Sequence, residues 1–190
     1  MNSKIIADAA PITTEPLRLF TLYEDFEAGV RAKLLADRII NRTGNNYVIL
    51  KGMWRMGSAK PIGRIHQMMA RDAAESDVLL IASTSVDQTQ ATIIRWLYSL
   101  LGWRSNPMLP GLLIGLLGDE EQPASDSDWL VGQLSAFTGR NHLEFAWHSG
   151  SESITDCAWI DPLVEKLFAR KDSIRASRLE LHTAEVGRIS

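Results

Sequence analysis

The chain has 190 residues, 45% of them hydrophobic and 23% charged, which fits one globular domain and is too apolar for a disordered chain. A formal net charge of −3 gives no electrostatic basis for binding nucleic acid or an anionic membrane surface. Neither a signal-peptide core nor the ~20 consecutive apolar residues of a membrane-spanning helix is present, and these features together point to the cytoplasm.

In chain order, residues 1–16 end in Pro-Ile-Thr-Thr-Glu-Pro and read as a flexible leader. Leu17 to Tyr23 reads as a strand. The acidic turn Glu24-Asp25 then opens a helix from about Phe26 to Arg42, with Phe26, Val30, Leu34 and Leu35 at helical spacing. Thr43-Gly-Asn-Asn46 stops it, and Tyr47 to Trp54 follows as a second strand. After a loop over Gly57 to Pro61, a helix spans Ile62 to Ser76 with Ile65, Met68, Met69 and Ala73 on one face. Val78 to Ala82 is apolar throughout, the mark of a central parallel strand covered on both sides. A helix from about Asp87 to Leu101 carries the face Ile93, Trp96, Leu97, Leu100 and Leu101. Gly111 to Leu117 is a fourth strand, Ser127 to Gly139 a helix, Leu143 to Trp147 a fifth strand, and Asp161 to Ser173 a last helix before a tail over 174–190.

Five strand–helix units joined by right-handed crossovers predict a doubly wound α/β domain over 17–173. The two most apolar strands, the third and fourth, belong in the middle of its three layers, so the parallel order is 2-1-3-4-5. Ligands of such sheets bind beyond the carboxyl ends of the strands, where the order reverses. That rule selects Tyr23, Glu24 and Asp25 after the first strand, Ser83, Thr84 and Ser85 after the third, and Gly118, Asp119 and Glu120 after the fourth.

This five-unit layout resembles flavodoxins and related flavin reductases. Their loop after the first strand is rich in Ser, Thr and Gly and cradles a phosphate. Tyr23-Glu-Asp-Phe-Glu27 stands here instead, and its three carboxylates repel a phosphate dianion, so neither flavin nor another cofactor is expected. The acidic pair Glu24-Asp25 is similar to that of two-component receiver domains. Ala82-Ser83-Thr84 lacks their phosphoacceptor aspartate, and Trp147-His148 replaces their lysine, so the match is to a receiver without its phosphorylation chemistry. The stretch Leu22-Tyr-Glu-Asp-Phe26 followed by Gly29-Val-Arg-Ala-Lys33 also resembles small uncharacterised bacterial proteins of flavodoxin-like fold. That resemblance implies a fold and no activity.

Each remaining signal has a plain structural account beside its chemical one. Glu24, Asp25 and Asp119 could supply a hard oxygen shell for Mg²⁺, but acids at a helix start serve as caps, and no metal is expected. The Ser83-Thr84-Ser85 turn likewise reads as a helix cap. Gly57-Ser-Ala-Lys60 lacks the spacing of a phosphate loop, and Gly111, Gly115 and Gly118 do not open a helix; those three glycines are expected to permit close helix packing. His142 and His148 flank the fifth strand without a third metal ligand, and Cys157 is the one cysteine, which excludes a Cys₄ or Cys₂His₂ zinc site. Arg31, Arg38 and Arg42 fall on one helical stripe, read as a wet face.

Trp96, Tyr98 and Trp103 crowd the end of the third helix. Trp96 and Tyr98 lie about 200° apart around the axis, so one core cannot take all three, and a homodimer contact is expected there. Two functions follow as expectations. The first is a non-catalytic binding or regulatory module with a protein partner; the alternative is a small enzyme or ligand-binding protein, flavin-, nucleotide- or Mg-related, working at the rim between the first and third strands.

Overall fold

The computed structural model describes residues 16–43, 47–58, 63–100, 111–118, 127–149 and 158–186. Apolar runs alternate with helical periodicity along the chain and give β1 (Leu17–Tyr23), α1 (Phe26–Thr43), β2 (Ile49–Arg55), α2 (Arg64–Ala74), β3 (Val78–Ser83), α3 (Val86–Leu100), β4 (Gly111–Leu117), α4 (Ser127–Arg140), β5 (Leu143–Ser149) and α5 (Asp161–Val186). All strand pairs are parallel, in the order β2-β1-β3-β4-β5. This is the flavodoxin-like arrangement that the repeating units predict. Every residue of β3 and β4 is buried, as central strands covered on both faces must be.

Because strand side chains alternate between faces, the sheet divides the interior in two. Leu17, Leu19, Val78, Leu80, Leu112 and Ile114 meet Ala32, Leu35 and Ile39 of α1 and Val164 and Leu167 of α5. Phe20, Leu22, Leu79, Ile81 and Leu113 meet Met69 of α2, Ile93 and Leu97 of α3 and Leu134 of α4. The helices therefore leave β1 and β3 toward opposite sides of the sheet.

The inward faces of two helices differ from the expected ones. Of Phe26, Val30, Leu34 and Leu35, only Leu35 is buried, and Phe26 is 85% exposed. α1 instead turns Ala28, Ala32, Ala36 and Ile39 inward with Leu35. Small side chains let its backbone approach the sheet closely, a demand that outweighs the bulk of the other stripe. On α2, Met69, Ala70 and Ala73 are buried while Ile65 and Met68 face outward. β2 begins at Ile49, because Tyr47 stacks its ring on Phe168 and donates its hydroxyl to Asp172 at 2.7 Å. α5 runs on to Val186, well past the expected end at Ser173, so part of the expected tail is helical.

The amino end of the sheet is tied by charge. Asp77, just before β3, accepts the Arg18 backbone N–H at 2.8 Å and the Lys171 ammonium at 2.6 Å. Lys171 comes from α5, is buried, and also donates to the Pro16 carbonyl at 3.3 Å.

Candidate functional site

At the carboxyl end, the neighbouring strands β1 and β3 bring their following turns together, as the order reversal requires. Backbone hydrogen bonding carries past the strand ends: the Glu24 N–H donates to the Ala82 carbonyl at 3.0 Å. The Glu24 carboxylate crosses to β3, accepting the Ser83 hydroxyl at 2.7 Å and the Ser85 backbone N–H at 2.9 Å. Ser83 spends its one proton there, so Thr89, whose hydroxyl lies 2.6 Å from Ser83 Oγ, is the donor in that contact. Asp25 makes a parallel set of bonds. One oxygen accepts the Ala28 N–H at 2.9 Å, capping α1, and the other accepts the Thr84 hydroxyl at 2.7 Å.

Both turns are thus satisfied by side chains of the chain itself. Glu24 serves the start of α3, Asp25 serves the start of α1, and each also fastens β1 to β3. Burial disfavours the charged form of Asp25, but the Ala28 N–H, the Thr84 hydroxyl, the Glu27 N–H and the Arg55 guanidinium outweigh it, so its pKa is lowered. Arg55, at the end of β2, also donates to the Glu24 carbonyl at 3.2 Å.

The other expected residues are placed as follows. Tyr23 lays its ring over Gly29, where an added Cβ would stand 2.9 Å from the ring; glycine at that position permits the approach. Gly118 adopts a φ of 86° and donates its N–H to the Ser83 carbonyl at 2.8 Å. At Gly115 an added Cβ would stand 3.4–3.5 Å from the Leu117 and Trp147 side chains of the sheet. Asp119, Glu120 and Trp103 lie outside the described residues. Trp96 is buried, stacked on Phe20 with ring centroids 5.4 Å apart, whereas Tyr98 is 42% exposed and meets Phe137 edge-on. The two diverge around α3 as their spacing requires, and Trp96 belongs to the core of this chain.

The arginine stripe of α1 is wet only toward its end: Arg42 is exposed, Arg38 half-buried and Arg31 buried. Arg31 is buried and donates to the Gly118 carbonyl. Arg38 pairs with both oxygens of Asp161, at 3.2 and 3.0 Å, and Arg42 joins on one of them. Arg38 and then Arg42 hold the Asp161 carboxyl below its ordinary pKa. Arg31 was recoverable from the sequence, since Ala28, Arg31, Ala32 and Leu35 stand at i, i+3, i+4 and i+7 on the small-residue face.

His148 is buried and stacks on Trp159, with centroids 5.5 Å apart. It lies on the α1/α5 side of β5, opposite Leu116. Among the described residues, no group of three or more His, Cys, Asp or Glu side chains is placed to hold a metal ion, and no helix is long and apolar enough to cross a membrane. Chemically, the rim is a clamp: two carboxylates held by hydroxyls and backbone N–H groups at the point where open α/β sheets accept an anionic ligand. A scan against protein-family models and a search of the curated proteins find no match to this chain.

Proposed function

We propose that this chain is a non-catalytic binding or regulatory module that uses a flavodoxin-like scaffold to present its surface to a protein partner. One observation carries the reading. The hydroxyls of Ser83 and Thr84 and the N–H groups of Ser85 and Ala28 all donate to Glu24 or Asp25. An external phosphate at this rim would have to displace an internal carboxylate and then face it as a like charge. The net charge of −3 supports a protein partner in preference to nucleic acid, and a cytoplasmic setting accords with that role.

The test is titration of the purified protein with FMN and, separately, with Mg²⁺ and inorganic phosphate, followed by absorbance and melting temperature. The expected result is no saturable FMN signal and no shift in melting temperature with either ion. A yellow preparation that releases FMN, or a Mg²⁺-dependent rise abolished in Glu24→Ala/Asp25→Ala, would replace this reading with that of a ligand-binding protein or enzyme at the β1/β3 rim.

A further inference from the structure

The face of the sheet beneath α2 carries a second inference, independent of the rim. In the β1/β2 ladder Arg18 stands opposite Leu50, and Phe20 opposite Gly52. Alternation along the strands turns all four toward α2, where Phe20 shares a core with Met69. Asp72, near the end of α2, and Ser76, just past it, line a cavity of about 230 Å³ together with these four residues. Gly52 has no side chain to fill it. Phe20 is held flat by its stack on Trp96, with ring centroids 5.4 Å apart.

The polar groups this cavity offers are of one kind. Arg18 is engaged, its backbone N–H on Asp77 at 2.8 Å and its guanidinium on Glu75 at 3.2 Å. Lys51 borders the cavity, but its side chain leaves on the opposite face of the sheet, where the ammonium reaches Asp37 of α1 at 3.1 Å. Ser76 is buried and donates its hydroxyl proton to the Ala73 carbonyl at 2.7 Å, so its oxygen is left to accept. Glu75 is shared by Arg18 and Arg71, whereas Asp72 forms no ion pair among the described residues. A carboxylate and a hydroxyl oxygen, both acceptors, therefore stand over an apolar floor of Phe20, Leu50 and Gly52.

We infer that this cavity binds a primary ammonium group carried on a short apolar chain. The chain lies over Phe20 and Gly52 and against Leu50. The ammonium donates to the Asp72 carboxylate and to Ser76 Oγ, and its third proton is left to water. A charged donor is selected over a neutral alcohol because the carboxylate strengthens the bond. An anion is rejected because the one guanidinium at the cavity already serves Glu75. The volume lies below the ~300–1,000 Å³ of pockets that take drug-sized ligands, so the ligand is limited to a few heavy atoms. A free alkylamine and the four-carbon stem of a lysine in a peptide share this chemistry.

Titration of the full isotope-labelled chain with pentylamine, followed by NMR, tests the site. The indole N–H of Trp54 is a reporter, since Nε1 lies 3.4 Å from where a Gly52 Cβ would stand. The expected result is a saturable shift centred on Gly52, Trp54, Asp72 and Ser76, with a Kd on the order of millimolar. Pentanol is expected to bind roughly tenfold more weakly or worse, and pentanoate not at all. Asp72 is exposed, so Asp72→Asn is expected to fold as wild type and to weaken pentylamine by about tenfold or more. Gly52→Val, which fills the floor, is expected to abolish the shift. A blocked Gly-Lys-Gly peptide separates the two sources of the ammonium: tighter binding than pentylamine assigns the site to a lysine of a protein partner, and weaker binding to a free amine. The proposal is overturned if neither probe gives a saturable shift, or if pentanol or pentanoate binds as tightly as pentylamine. A shift that survives Asp72→Asn unchanged, or one centred on Glu24 and Asp25, overturns it equally.

Discussion

The Glu24 carboxylate and the Ser83 hydroxyl meet at 2.7 Å across the junction of β1 and β3, joining two turns that are 59 residues apart in the chain. If that bond fastens the strands, Glu24→Gln removes a charged acceptor from both the Ser83 hydroxyl and the Ser85 N–H. The expected cost is about 1–2 kcal/mol in urea denaturation. A variant more stable than wild type would mean that the acidic pair is held against its own repulsion for the sake of a ligand, and the clamp account would fail.

Asp25 adds a pH dependence with a definite sign. Its folded-state pKa is lowered, so its carboxylate stabilises the fold above the unfolded value of ~3.9, and that contribution is lost as pH falls through the folded value. Asp25→Asn is therefore expected to be less stable than wild type at neutral pH, with the gap closing below pH ~4. A gap that stays constant down to the acid transition would assign the loss to geometry in place of charge.

Arg31 and Lys33 sit two residues apart on α1 but in opposite settings. Arg31 is buried with its guanidinium on the Gly118 carbonyl, while Lys33 pairs with Asp37 at 2.6 Å in the open. Arg31→Ala is expected to cost about 2–3 kcal/mol, because a charge-assisted bond and a packed stem are both lost. Lys33→Ala is expected to stay within ~0.5 kcal/mol, the usual worth of an exposed i,i+4 pair. Equal effects in thermal melts would contradict the burial of Arg31.

Leu80 and Trp96 probe the two interiors on either side of the sheet. Leu80→Asp drives a charge into a fully buried position of a central strand and is expected to abolish cooperative unfolding. Trp96→Ala opens a hole beside Phe20 and is expected to cost about 3–5 kcal/mol. A Trp96 variant that melts as wild type but changes its sedimentation would return this residue to an intermolecular contact.

The strand order was legible because β3 from Val78 to Ala82 and all of β4 lack polar side chains, and such strands have nowhere to go but the middle of a parallel sheet. The position of the rim followed from that order. What the rim does with its side chains was only half legible. Asp25 as a cap is a local matter of three residues, but Glu24 capping α3 depends on β1 and β3 lying side by side. The face of α1 was misread because bulk was taken as the guide to burial. Phe26, Val30 and Leu34 form a regular stripe, yet alanines win the inner position where helix and sheet must come close. Arg31 stands on that same small-residue face, so its burial was legible, whereas its partner, a carbonyl 87 residues away, was not.

The Lys171–Asp77 bond spans 94 residues and so bears on the order in which the fold can be assembled. Asp77 already receives the Arg18 N–H once β1 and β3 pair, but a chain grown only through β4 leaves its second oxygen to water. Closing so long a loop costs entropy before any contact repays it. The arrival of α5 therefore has to deliver its apolar residues Val164 and Leu167 and its ammonium in the same step. The first four strand–helix units would be a poor stopping point for folding, with an acid at the mouth of the core and the part of the sheet face beside α1 that α5 covers still wet.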